Sequence, residues 1–254
     1  MKKIGIALSG GGARGIAHLG ILKALEEFGI RPQILSGVSA GGIVGGFYAA
    51  GYKPEEILEI TKHADFFNIF ALKFHQGIFS MNTFEKIYLR YIPHNSFEGL
   101  NMPLYVTATD ILKCRTVYFS SGILSTALMA TACVPVAFQP VVYNGTEFLD
   151  GGILNNFPTE PLVGKCDAII GVHVNSIDTN VDHVHTKDLI DRSFHLVLDA
   201  SVKAKIISCD LFIEPPAMSR FGMFDISDAD AIFKAGYDYA ISIKDRIELF
   251  QKNL

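Results

Sequence analysis

Residues 36–42 read Ser36-Gly37-Val38-Ser39-Ala40-Gly41-Gly42, and this stretch decides the fold. The apolar pair Ile34-Leu35 precedes it, and a run of small and apolar residues, 43–46, follows it. This order predicts a buried strand, a sharp turn and a helix. The spacing of Gly37, Ser39 and Gly41 fits the pattern G-x-S-x-G, which lifts a serine to the tip of a strand-to-helix turn.

The chemistry of such a turn explains its two glycines. A serine at the tip has a strained backbone, and side chains two residues before and after it would collide with the neighbouring strand and helix. Its hydroxyl points into solvent at a helix N-terminus, where free backbone N–H groups hold an anion. The pattern alone also fits a glycine-rich turn that carries an idle serine.

Length and composition indicate one globular domain that spans residues 1–254. Of the 254 residues, 49% are hydrophobic and 19% are charged, and no Pro/Ser-rich linker or charge run divides the chain. This composition favours a large core over disorder. The net charge of −4 comes without a basic cluster, which argues against a nucleic-acid partner.

Cysteine usage and hydropathy predict a cytoplasmic protein without a membrane span. The four cysteines are scattered and form no C-x-x-C pair, as expected of reduced thiols. The start Met1-Lys2-Lys3 hints at a signal peptide, but the apolar run Ile4 to Leu8 ends at Ser9 and a glycine triplet. No run approaches about 18 apolar residues, the length that spans a bilayer.

A glycine loop follows the first predicted strand, Ile4 to Leu8. The loop reads Gly10-Gly11-Gly12-Ala13-Arg14-Gly15, and apolar residues then recur at helical spacing up to Phe28. Its G-x-G-x-x-G spacing also opens dinucleotide-binding units. That alternative requires an acidic residue at the end of the second strand, where this chain has Ser36 to Ser39 and no carboxylate.

The rest of the chain continues to alternate strands and helices. Predicted strands cover Leu104 to Ala108, Thr116 to Phe119, Ala168 to Val174 and Leu211 to Ile213. Predicted helices cover Thr83 to Tyr91, Ile123 to Ala132, Leu189 to Lys203 and Ser227 to Leu249, the last with Ser227 as its cap. Strand–helix alternation predicts a three-layer α/β/α fold with a mainly parallel central sheet.

A predicted hairpin around Asn144-Gly145 ends at Asp150-Gly151-Gly152. A carboxylate at a strand end, followed by two glycines, stands where an α/β site places a base. The same residues also fit an ordinary Asp-Gly turn. Asp110, between two predicted strands, is interpreted as a structural turn residue.

Two further features have competing interpretations. Phenylalanines crowd residues 64–80, where a helix packed on the core competes with a flap, including Phe66, Phe67 and Phe70, that touches lipid. Asp182, His183 and His185 lie close together, but their spacing matches no metal-ligand pattern, so no metal is predicted.

Taken in order, the glycine loop at 10–15, the elbow at 37–41 and Asp150-Gly151-Gly152 resemble the patatin-like phospholipase family. The similarity extends from Lys3 to about Ile170 and includes Ala108-Thr109-Asp110 and the helix that runs into Val134-Pro135. It is greatest to short bacterial members that consist of the core domain alone. Gly42 is a mild departure, since many members carry alanine there.

This resemblance implies a cofactor-free lipid acyl hydrolase with a Ser–Asp dyad. By it, Ser39 is the nucleophile and Asp150 the base. Gly10, Gly11 and Gly12 match the oxyanion hole, which we expect Ala40 to join, while Arg14 is expected to attract an anionic head group. The remaining motif positions are glycines: Gly15, Gly37, Gly41, Gly151 and Gly152. Lipid as a substrate further predicts transient, peripheral contact with a membrane surface.

The residues themselves leave the base open. A serine nucleophile needs a base within hydrogen-bond reach, and a buried aspartate with a raised pKa can serve. The spacing does not exclude a triad, because four histidines follow Asp150: His173, His183, His185 and His195. Of these, His173 fits a core position better, and His183 and His185 are the stronger candidates. A nucleotide-binding protein and a non-catalytic regulator on the same fold are the alternative functions.

Overall fold

Among the residues that this computed structural model describes, the central sheet has eight strands, and the predicted α/β class is confirmed. The structure describes residues 2–63, 82–135, 137–179, 189, 192–193, 196, 199, 201–223 and 227–254. The strands are β1 (Ile4–Leu8), β2 (Ile34–Val38), β3 (Leu104–Asp110), β4 (Arg115–Phe119), β5 (Val141–Tyr143), β6 (Thr146–Asp150), β7 (Ala168–Val172) and β8 (Leu211–Ile213).

Five of these strands run parallel and form the body of the sheet. The ladder runs β5–β6–β3–β2–β1–β7–β8, and β4 pairs with β3. The pairings of β1 with β2 and β7, of β2 with β3, and of β7 with β8 are parallel, whereas β4, β5 and β6 add antiparallel pairings. All five residues of β1, β2 and β7 are buried, as expected of parallel strands covered on both faces.

One edge of β3 is shared by two strands that meet end to end. Residues 106–110 of β3 pair with β4 on one edge. On the other edge β2 runs parallel to β3 until Val38 lies opposite Thr107, and β6 arrives antiparallel until Asp150 lies opposite Ala108. The ends of β2 and β6 therefore meet, which brings Ser39 and Asp150 to the same point of the sheet.

The helices follow the predicted order. They are α1 (Ile16–Glu27), α2 (Ala40–Ala49), α3 (Pro54–His63), α4 (Asn82–Tyr91), α5 (Leu124–Thr131), α6 (Ala229–Ser242) and α7 (Lys244–Asn253). One large buried cluster joins residues of these helices to one face of the sheet. A smaller cluster on residues 7, 34 and 169 includes Phe157, Leu162 and Val202.

Glycines allow α1 and α6 to pack in direct backbone contact. A methyl group on Gly20 would lie 2.1 Å from the carbonyl oxygen of Phe233, and one on Gly236 would lie 2.3 Å from that of Ala17. Both distances are far below van der Waals contact, so this crossing requires glycine on both helices.

Some predicted boundaries are wrong. The single terminal helix is two helices, α6 and α7, separated at Ile243, and the cap position of α6 is Asp228 instead of Ser227. Asp110 is the last residue of β3, and β7 ends at Val172, just before His173. Residues 64–80, with Phe66, Phe67 and Phe70, lie outside the described residues. So do seven of the fifteen residues of the helix predicted over 189–203, and the eight that are described there are helical.

Candidate active site

Ser39 occupies the turn between β2 and α2 in a backbone conformation that side chains rarely adopt. Its φ is 51° and its ψ is −126°, a combination that costs a residue other than glycine about 1–3 kcal/mol. A methyl group on Gly37 would lie 2.4 Å from the carbonyl oxygen of Gly41, and one on Gly41 would lie 2.5 Å from those of Leu8 and Ser9. Only glycine fits at these two positions of the turn, because any side chain would collide with the nearby backbone oxygens.

Thr131 holds this strained turn in place from the end of α5. Its Oγ1 accepts a hydrogen bond from the backbone N–H of Ser39 at 2.7 Å and donates to the carbonyl oxygen of Thr107 at 2.5 Å. One hydroxyl thus ties the turn at Ser39 to β3. Sequence reasoning misses this contact, because a threonine at the end of an apolar helix resembles an ordinary core residue.

Asp150 lies at the meeting point of β2 and β6 and is fixed on several sides. Its backbone N–H donates to the carbonyl oxygen of Cys133 at 2.8 Å, and its carbonyl oxygen accepts from the Thr109 hydroxyl at 3.0 Å. Its Oδ1 accepts from the backbone N–H of Gly152 at 2.7 Å, and its carboxylate is hydrogen-bonded to the side chain of Ser39. The fold therefore presents one carboxylate to one serine.

Burial sets the protonation of Asp150. Desolvation raises its pKa from 3.8 to about 6, although the hydrogen bonds from Ser39 and Gly152 stabilise the charged form and oppose the rise. A carboxylate with a pKa near 6 is still ionised at neutral pH but is a much stronger base than an exposed aspartate. This protonation behaviour suits a general base for a serine hydroxyl.

The glycine loop lies next to Ser39. A methyl group on Gly10 would lie 3.2 Å from the Cβ of Ser39, and one on Gly15 would lie 2.4 Å from the Cβ of Ala40. The N–H of Gly10 already donates to the carbonyl oxygen of Asn156 at 3.3 Å, so this group is not a free donor. Within the described ranges, no hydrogen bond uses the N–H groups of Gly11, Gly12 or Ala40.

Side chains from other parts of the chain bind the backbone carbonyl oxygens of Ser9 and the glycine loop. The Nδ2 of Asn175 donates to the carbonyl oxygen of Gly10 at 2.6 Å. The Nε2 of His18 lies 2.9 Å from the carbonyl oxygen of Ser9, and burial lowers the pKa of His18 to about 4, so the ring is neutral and donates to that oxygen. Gly12 has φ +55°, and a methyl group on it would lie 2.2 Å from the carbonyl oxygen of Met223.

Arg14 has a different environment from the one predicted. Its side chain is buried, and its Nε donates to the carbonyl oxygen of Phe221 at 2.8 Å, which joins the short 3₁₀ helix Gly12–Gly15 to residues 216–221. Burial of this kind favours a structural role for Arg14 over contact with an anionic head group.

The histidines that compete with Asp150 are only partly described. His173 is buried between Phe157 and Phe212, and its Nε2 lies 3.9 Å from a carboxylate oxygen of Glu214. The interactions that set the pKa of Asp150 include Ser39 and Gly152 but not His173. His183, His185 and His195 lie outside the described residues.

Within the described part of the chain, one histidine and two carboxylates lie close enough to consider a metal ion. Ligand atoms of His173, Asp199 and Glu214 all lie within 4.8 Å of one another. However, the Nζ of Lys203 lies 2.6 Å from Asp199, so the lysine side chain already neutralises the charge of this carboxylate. We assign the trio no part in the chemistry of the site.

No helix among the described residues is both long and apolar enough to cross a membrane. The exposed apolar side chains include two near the carboxyl edge of the sheet, where Ser39 lies. Leu112, in the turn after β3, is 60% exposed, and Leu154, just after Gly152, is 44% exposed.

Comparison with known proteins shows that residues 6–163 match a family described as patatin-like phospholipase. Similar relatives include lysophospholipase nte1 of Aspergillus fumigatus, 27% identical over 97% of this chain, and lysophospholipase nte1 of Emericella nidulans, 28% identical over 94%. This chain spans only 18% of the length of either relative. Among solved structures, VipD from Legionella pneumophila has a similar fold, with a TM-score of 0.54 and 15% identity over 96% of this chain and 67% of that one.

Proposed function

Since this chain belongs to the patatin-like phospholipase family, we propose that it is a lipid acyl hydrolase in which Ser39 and Asp150 cleave carboxylic esters. The observation that carries the proposal is the strained turn at Ser39, whose side chain is hydrogen-bonded to a buried aspartate with a pKa of about 6. A strained nucleophile beside a single tuned base is the arrangement that acyl transfer needs.

The reaction follows from this pair in two half-reactions. Ionised Asp150 takes the proton of the Ser39 hydroxyl while the serine oxygen attacks the ester carbonyl carbon. The tetrahedral intermediate collapses, the C–O bond to the alcohol breaks, and Asp150 gives its proton to the departing alcohol. A water molecule then attacks the acyl-serine with Asp150 as base, and the proton returns to Ser39 as the fatty acid leaves.

The developing negative charge needs donors that no other group uses. The N–H groups of Gly11, Gly12 and Ala40 meet this condition among the described residues and lie in the segments that flank Ser39. Each such donor contributes about 3 kcal/mol to the stabilisation of an oxyanion. We assign these three groups to the oxyanion hole and exclude the N–H of Gly10, which Asn156 occupies.

The names of the relatives favour lysophospholipids as the first substrates to test. Transient contact with a lipid surface is part of the proposal, and the exposed side chains of Leu112 and Leu154 support it because they flank the carboxyl edge of the sheet. A cytoplasmic location agrees with four free cysteines.

Hydrolysis of p-nitrophenyl esters, lysophospholipids, phospholipids and acylglycerols tests the reaction. Ser39→Ala, Asp150→Asn and the double variant should each lose activity by about 10³-fold or more, to a similar residual rate, because the two residues act as one unit. Circular dichroism checks that each variant folds. If the losses of the two single variants multiply in the double variant, the dyad is wrong.

Alanine variants of His173, His183, His185 and His195 provide the control for a triad. Under the proposal each retains substantial activity. If His183→Ala or His185→Ala removes activity as completely as Ser39→Ala does, a histidine is the base and the role assigned to Asp150 is wrong.

A further inference from the structure

The side chain of Asn156 lies between the glycine loop and the dyad. It is 3% exposed. A methyl group on Gly10 would lie 2.4 Å from Asn156 Oδ1 and 3.2 Å from the Cβ of Ser39. A methyl group on Gly152 would lie 2.9 Å from the same Oδ1 and 3.1 Å from Asp150 Oδ1. The carboxamide thus lies against the same two glycines, Gly10 and Gly152, that border Ser39 and Asp150.

This carboxamide has unused hydrogen-bonding capacity. Across the described residues, its Nδ2 is buried without a hydrogen-bond partner. An unsatisfied buried polar group costs about 1–3 kcal/mol, so a folded protein keeps one only for a reason. The backbone of the same residue is well anchored, since its carbonyl oxygen accepts the N–H of Gly10 at 3.3 Å.

The neighbouring asparagines differ from Asn156 in this respect. Asn155 donates from Nδ2 to the Tyr118 hydroxyl at 3.0 Å and to Glu160 at 3.1 Å, and its Oδ1 accepts from Phe157 and Lys205. Asn175 uses its Nδ2 on Gly10. Of the three, only Asn156 keeps its donor available.

We propose that Asn156 is a further catalytic residue, whose side-chain amide donates a hydrogen bond to the oxyanion formed when Ser39 attacks the ester. This inference rests on the proposed function. The two ends of a carboxamide have nearly the same size, and a half-turn about χ2 exchanges them. That half-turn moves Nδ2 to the side of Gly10, where the oxyanion forms next to Ser39. The bound oxyanion then satisfies the donor that lacks a partner in the free protein.

The test compares Asn156→Ala and the isosteric Asn156→Asp with Asn155→Ala. Loss of one oxyanion donor lowers kcat by about 10²–10³-fold with little change in KM. Both Asn156 variants should show this loss, and their inactivation by a fluorophosphonate should slow in parallel, because its P=O oxygen occupies the same position. Asn155→Ala should lower the thermal midpoint and keep kcat within about threefold of the wild type, as expected of a residue that contacts no substrate.

The pH profile separates a substrate contact from support of the base. If Asn156 serves the oxyanion, the acid limb of kcat/KM keeps its midpoint in Asn156→Ala while the plateau falls. A shifted midpoint, a loss confined to KM, or a kcat within about threefold of the wild type would each overturn the inference. If the wild type neither hydrolyses esters nor labels at Ser39, the proposed function fails instead.

Discussion

At the scale of single residues, the proposed chemistry depends on the charge of Asp150. Burial raises its pKa to about 6, and only the ionised form can accept the serine proton. We therefore expect kcat/KM for a p-nitrophenyl ester to rise with pH through a midpoint of about 6 and then level off. A midpoint near 4 in this profile would mean that the carboxylate is solvated during catalysis.

The same raised pKa affects the stability of the fold. Because the pKa of Asp150 is higher in the folded than in the unfolded chain, ionisation favours the unfolded chain, and stability falls as pH rises from about 4 to about 6. Asp150→Asn removes this charge. We expect the variant to gain about 1–3 kcal/mol of unfolding free energy relative to the wild type at pH 8, and to lose that advantage by pH 4. Urea unfolding at both pH values measures the difference, and a variant no more stable at pH 8 than at pH 4, relative to the wild type, would contradict it.

Thr131 is expected to matter through position and not through contact with substrate. Thr131→Val keeps the shape of the side chain but leaves the N–H of Ser39 and the carbonyl oxygen of Thr107 without their hydrogen bonds. Leaving such groups unpaired costs about 1–3 kcal/mol, and the strained turn should relax, with loss of kcat. Thr131→Ser keeps the hydroxyl and serves as the matched control in thermal unfolding and ester hydrolysis. Equal behaviour of the two variants would rule out this role.

The sequence predicts some of these residues and not others. Ser39 lies in a turn between two glycines, and Asp150 lies at a strand end before two glycines. Both patterns are local, so a single sequence is enough to recognise them. The roles proposed for Asn156 and Thr131 rest on residues far away in sequence, namely Gly10 beside the Asn156 carboxamide and the N–H of Ser39 on the Thr131 hydroxyl. No spacing along the chain encodes those contacts.

At the scale of elements, the close contact between α1 and α6 requires glycine, which has no side chain, at Gly20 and Gly236. Gly20→Ala would place its methyl group 2.1 Å from a backbone oxygen, which α6 can avoid only by moving away. We expect a loss of about 1–3 kcal/mol in unfolding free energy, typical of overpacking. Gly45→Ala on α2 is the matched control, since its methyl group comes closest to the Leu104 side chain, at 3.1 Å, and alanine favours a helix by about 1 kcal/mol. Thermal unfolding of both variants measures the contrast, and a Gly20→Ala variant as stable as Gly45→Ala would refute the close crossing.

The errors of sequence-based prediction at this scale have a physical pattern. Helix and strand positions with clear periodicity are predicted well. The separation of α6 from α7 at Ile243 is missed because no glycine or proline marks it. Asp110 is predicted in a turn, yet its buried carboxylate accepts from the backbone N–H of Lys113 at 3.0 Å and from Arg115 at 3.2 Å, which lets β3 continue to the turn. Contacts made by side chains, and not local propensity, decide where β3 ends.

At the scale of the whole molecule, the family match ends before the sheet does. It covers residues 6–163, whereas β1 pairs with β7 on the edge that β2 does not occupy, and α6 covers α1. A fragment of residues 1–163 exposes that edge and the buried face of α1 to water. We expect it to lack a cooperative urea transition and to aggregate, while the full chain unfolds cooperatively, as followed by circular dichroism. A cooperative transition in the fragment would show that β7, β8 and α6 are dispensable.

The sequence predicts the parallel character of the sheet but not the order of its strands. Alternation of strands and helices is a local property, and it indicates parallel pairing. The position of β6 at the end of β2 results from its pairing with β3, and no local sequence pattern predicts that pairing.

The end-to-end meeting of β2 and β6 along β3 makes the two halves of the proposed dyad separable. The exposed turn that joins β3 to β4, residues 111–114, falls between them in the chain. A cut there leaves Ser39 on one polypeptide and Asp150 on the other, each inert by itself. Ester hydrolysis would return only when the two polypeptides complement each other and rebuild the β3 edge. This topology therefore offers a split enzyme, in which turnover reports the reunion of two fragments and, with one fused to each of two other proteins, their proximity.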